Sequence, residues 1–126
     1  NLKGTNLTVL ETRFNIASDD VDGVNETFNF TQGADGHDAF FTANSQFSAS
    51  ECLMTHVYSP SGSTSNQFEE VLLFEPATSS VVFASLLEDS MSGYDNLAHD
   101  FEILVLEDGH SSDTSTTTYY FFVEIE

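Results

Sequence analysis

Hydrophobic and polar positions alternate along most of this chain, and the dominant period is two. Leu10, Thr12, Phe14 and Ile16 point one way while Glu11, Arg13 and Asn15 point the other, which predicts a half-buried strand from Leu10 to Ile16. Ser18-Asp19-Asp20-Val21-Asp22-Gly23 reads as a turn, and Phe28 and Phe30 form a short alternating pair beyond it. Gly33 to His37 turns the chain again, into a run around Ala39 to Thr42. Glu51 to Tyr58 sets Leu53 and Val57 against Cys52, Met54, His56 and Tyr58, a strand covered on both faces.

Ser59 to Asn66 is a polar loop too short to divide the chain. Phe68 to Glu75 places Val71 and Leu73 on one side and Phe68, Leu72 and Phe74 on the other, and Pro76 closes it. Ser80 to Leu87 is mostly apolar, as an interior strand would be. Glu88 to His99 reads as a long loop or one short helix. Phe101 to Leu106 and Thr116 to Ile125 are the last and most apolar strand candidates, separated by a turn that begins at Asp108-Gly109.

About eight strands, with no long run of helical period, predict an all-β fold. We expect an antiparallel β-sandwich of about seven or eight strands, with immunoglobulin-like and jelly-roll-like topologies both open. Residues 10–126 form the single domain in this reading, and residues 1–9 an N-terminal extension or donated strand.

Charge narrows the partners. The 126 residues carry 21 acidic and 2 basic side chains, for a net charge of -19. Lys3 and Arg13 cannot supply the cationic contacts that nucleic acid requires, nor a cluster for anionic lipid. The self-repulsion calls for salt, divalent cations or acid, and at about 1 M salt the Debye length falls to about 3 Å. Salt adaptation is the reading this composition favours. With 12 Phe and 40% hydrophobic residues, the chain is no disordered acidic tail.

The single Cys52 excludes an intrachain disulfide and reads as a buried small hydrophobe. Sequons at Asn6, Asn25 and Asn29 are candidate glycosylation sites, and with a first residue that is not Met, which fits a removed leader or tag or a sequence that begins within a longer chain, they point towards export. The expected location is extracellular or at the cell surface.

Candidate chemistry is sparse. Asp19, Asp20, Asp22 and Glu26 surround Gly23 and offer oxygen ligands for Ca2+, but in the wrong order for an EF-hand. His37, His56, His99 and His110 lack metal-binding spacing and read as turn histidines. No nucleophile elbow or phosphate loop is present, and carboxylate pairs are inevitable at this acidity, so no enzyme is expected and no cofactor is required. Tyr58, Tyr94, Tyr119 and Tyr120 are the side chains on which a sugar would stack.

The remaining class is structural. Tyr119, Phe121 and Val123 near the C-terminus, and Leu7, Val9 and Leu10 near the N-terminus, belong to segments suited to pairing with another chain. Glu124 and Glu126 flank the first of these as charged gatekeepers. The resulting expectation is a non-catalytic extracellular structural or adhesive module, the subunit of a surface filament or similar assembly, joined by strand contacts to itself or to another surface protein. The alternative is a calcium- or carbohydrate-binding β-sandwich module.

Overall fold

The computed structural model describes residues 5–28, 36–42, 44–58, 64–78, 80–105 and 118–124, with the backbone alone at 5, 6, 58 and 64–67. Among the described residues two short helices, α1 (Thr5–Arg13) and α2 (Val24–Thr27), precede seven strands. These are β1 (Phe40–Thr42), β2 (Ser45–Phe47), β3 (Met54–Tyr58), β4 (Thr64–Glu75), β5 (Ser80–Ser85), β6 (Met91–Ser92) and β7 (Ala98–His99). The strands form antiparallel sheets in the orders β1-β2, β3-β4-β5 and β6-β7, so the class is all-β.

The centre of the molecule is β4. Its register sets Val71 beside Met54 and Ala84, and Leu72 beside Phe83. Alternation then divides the neighbours cleanly between two cores. Leu72 packs with Leu7, Leu10, Val24 and Phe28, supported by Phe14, Ile16, Leu53, Phe74, Val81 and Phe83. Val71 and Leu73 pack on the opposite face with Cys52 and Met54, supported by Phe40, Phe47 and Ala84. The helices therefore cover one face of the three-stranded sheet and the β1–β2 hairpin covers the other. Phe40 and Phe47 stack 5.0 Å apart to form the hairpin's contribution.

The strand predicted from Leu10 to Ile16 is a correction: this stretch is the end of α1 and its cap. Leu7, Leu10 and Phe14 recur at helical spacing and all reach the helix-side core. Asn15 then takes a left-handed φ of 55°. The Ile16 N–H donates to the Glu11 carbonyl at 2.9 Å and the Asn15 N–H to the Thr12 carbonyl at 3.3 Å. This is a Schellman ending, with Asn15 at the position that favours glycine or asparagine. The apparent alternation of Phe14 and Ile16 comes from that cap, whose last residue turns back onto the core.

Val24 to Thr27 is one helical turn before Phe28, and the expected alternation of Phe28 with Phe30 falls outside the described residues at Phe30. Two further expectations change. Met91 to His99 is a small hairpin rather than a loop or helix, turned at Gly93 by Asn96 with φ 66°. Of the runs 101–106 and 116–125, read as strands, the described parts 101–105 and 118–124 pair with no strand among the described residues, and the remainder lies outside them. The predicted strands at 39–42, 51–58, 68–75 and 80–87 appear as β1, β3, β4 and β5.

Candidate functional site

The C-terminal segment has the least covered apolar surface among the described residues. Tyr120, Phe121, Phe122 and Val123 are 70% to 90% exposed. Contacts at both ends tie the segment to the rest of the molecule. The Tyr119 ring meets Phe83 edge-on at 6.4 Å on the helix side of the sheet. The Thr42 hydroxyl donates to Glu124 Oε2 at 2.9 Å on the hairpin side. The segment thus passes from one face of the sheet to the other while its aromatic middle stands in solvent. Of the expected contact residues here, Tyr119 is half-buried, and Phe121 and Val123 are exposed.

The N-terminal candidates divide differently. Leu7 and Leu10 lie in the helix-side core, whereas Val9 is 69% exposed. From Thr5 onward the chain is a helix docked on its own domain, and residues 1–4 of the expected extension lie outside the described residues.

The acidic loop does not gather into a chelating group. Asp19, Asp22 and Glu26 are exposed and Asp20 half-buried, and among the described residues no three His, Cys, Asp or Glu side chains are placed to hold a metal ion. The structural carboxylate in this region is Glu11, read from the sequence as solvent-facing but buried here. Its Oε1 accepts the Asn25 N–H at 3.0 Å, satisfying an open donor in the first turn of α2. Asn25 itself is exposed, Asn6 lies in α1 with its side chain outside the described residues, and Asn29 lies outside them entirely.

The histidines are not all turn residues. His37 is fully buried, with Nε2 accepting the Cys52 N–H at 2.9 Å and Nδ1 donating to the Asp38 carbonyl at 2.6 Å. This fixes the tautomer of a neutral ring whose job is to connect the hairpin to the sheet. His56 is also buried, on β3 opposite Glu69. Burial pushes the Glu69 carboxyl above its ordinary range, although its Oε2 accepts the Asp38 N–H. His99 pairs with Asp95 at 2.8 Å on the surface, and His110 is outside the described residues.

A cavity of about 540 Å³ opens between β3, Thr27, the β6–β7 turn and residues 101–104. Thr55, His56, Val57, Tyr94, Phe101, Ile103 and Leu104 line it, together with Glu102. Glu102 Oε1 accepts the Tyr94 N–H, and a side chain at Gly93 would collide with that carboxylate. Glu102 Oε2 is buried with no hydrogen-bond partner.

Behind the wall stands Glu70, fully buried on β4 between Thr55 and Ser85. Its Oε2 accepts the Leu104 N–H at 2.6 Å, while Oε1 is buried without a partner. Burial raises its carboxyl to about 8, and the Leu104 bond offsets part of that rise. Sequence reasoning missed this residue, although the signal was present. Glu70 shares a face with Phe68, Leu72 and Phe74, so the alternation already placed it among apolar neighbours. Tyr94, expected as a sugar platform, lines the cavity rim; Tyr58's side chain lies outside the described residues.

No family model matches this chain, no curated protein matches it, and no solved structure matches it.

Proposed function

We propose that the protein is a non-catalytic structural or adhesive module that works outside the cell or at its surface and assembles with copies of itself through strand contacts. In this reading the layered sheets complete a β-sandwich, and a second copy covers Tyr120 to Val123. The observation that carries it is the exposed run Tyr120-Phe121-Phe122-Val123, four consecutive apolar side chains in solvent. Four large apolar side chains in sequence are more than a monomer ordinarily leaves in water. Among the described residues their segment joins no strand, and β3 and β5 each pair on one side only. Strand addition between such a segment and such an edge joins backbone hydrogen bonds to side-chain burial.

The charge sets the conditions. Stacking subunits of net charge -19 requires screening, so assembly should strengthen with salt. The test is light scattering and electron microscopy of the chain at about 0.1 M and about 2 M salt. Oligomers or filaments at high salt, lost when Phe121 and Phe122 are both changed to Ser, are the expected result. Monodisperse single domains under both conditions would overturn the reading.

A further inference from the structure

We infer that the cavity between β3, the β6–β7 turn and residues 101–104 binds a small organic monocation with an apolar body, such as an aromatic or short-chain ammonium ion. The inference is independent of self-assembly, since the cavity includes none of Tyr120 to Val123.

Three observations select the ligand. The first is size and lining: about 540 Å³, walled by Val57, Phe101, Ile103 and Leu104, suits a compact apolar molecule. Few polar groups face it, which disfavours a sugar. The second is the carboxylate. Glu102 is positioned by the Tyr94 N–H, and the absent side chain of Gly93 lets that turn close over it. Its other oxygen takes no hydrogen bond and is shielded from solvent, so a cation in the cavity meets this carboxylate through space across a low-dielectric wall rather than by direct contact. The third is the surrounding field. A chain with 21 acidic and 2 basic residues draws cations and repels anions.

A bare metal ion is the weaker occupant. It needs several oxygen or nitrogen ligands, and no such group exists among the described residues. An organic cation needs one carboxylate, an apolar wall and aromatic faces, which Tyr94 and Phe101 provide.

The test is an NMR titration of the full chain with benzyltrimethylammonium, beside benzyl alcohol as the neutral analogue and benzoate as the anion. Saturable shifts centred on Tyr94, Phe101, Ile103 and Leu104 are expected for the cation, with the alcohol at least about tenfold weaker and benzoate not binding. Glu102→Gln lowers cation affinity about tenfold, whereas Asp89→Asn on the exposed surface leaves it unchanged. Ile103→Trp, which fills the cavity and keeps the charge, also removes binding. Non-saturating shifts spread over the acidic surface would overturn the inference, as would equal binding of the cation and the alcohol, or an unchanged affinity in Glu102→Gln. The wild-type shift map decides the matter even if neither cavity variant folds.

Discussion

Strand β4 and the C-terminal segment have similar sequences and opposite fates. Phe68-Glu69-Glu70-Val71-Leu72-Leu73-Phe74 and Tyr119-Tyr120-Phe121-Phe122-Val123 are both apolar on both faces. In β4 each face meets its own core, and Phe68, Val71 and Leu72 lose all contact with solvent. At the C-terminus the same pattern leaves Phe122 90% exposed. Residues 101–105 lie between these extremes, joined to the sheet by the Leu104 bond to Glu70 and by the Ser85 hydroxyl bond to the Glu102 carbonyl. The difference teaches that a two-sided apolar run states a demand for two partners. Whether the chain itself supplies them is decided elsewhere in the molecule.

The largest expected effect tests how the intermediate region is held. Glu70 has a carboxyl near 8 in the folded protein against an ordinary 4.5, so folding retains a proton that the unfolded chain releases above about 4.5. Its contribution to stability is therefore greatest in acid, falls as pH rises from about 4.5 to about 8, and levels off beyond. The full span is on the order of 5 kcal/mol. Urea denaturation from about pH 4 to about pH 9 should show this slope, and Glu70→Gln should flatten it. Parallel slopes in the two proteins would remove Glu70 as its source.

Next in size is the core itself. Leu72→Ala deletes the β4 contribution to the helix-side cluster and should lower stability by about 2–5 kcal/mol, read as a shift in the urea midpoint with unchanged slope. A smaller loss, about 1–2 kcal/mol, is expected for Glu11→Ala, which leaves the Asn25 N–H without its acceptor. Faster amide exchange at Asn25 would locate that loss in α2.

The smallest effect on the folded monomer falls on the most apolar exposed residue. Phe122→Ser should change stability by no more than about 0.5 kcal/mol. In the proposed assembly it should nonetheless weaken association at high salt. A large loss of monomer stability from this substitution would mean that the segment is packed as β4 is, and the comparison would fail.

Much of the sheet was legible in the sequence. The alternation through Leu53, Met54, Val71, Leu72 and Leu73 assigns each side chain to its face, because a strand has no other way to present consecutive residues. The helix-side layer was not legible from period two. Leu10, Phe14 and Ile16 satisfy both an alternating strand and a helix ending in a cap, and Asn15's positive φ resolves the ambiguity only when the backbone is seen. The cavity was opaque for a related reason. Thr27, Val57, Tyr94 and Leu104 are far apart in sequence, and no local spacing announces their meeting.

The sequence by itself determined the β class, the faces of the central strands and the net charge of -19, since these follow from period and composition alone. Tertiary structure decided which apolar runs become core, which carboxylates are buried, and which histidine bridges two layers. Those outcomes depend on contacts between residues distant in the chain, where burial turns an ordinary side chain such as Glu70 or His37 into a specific one.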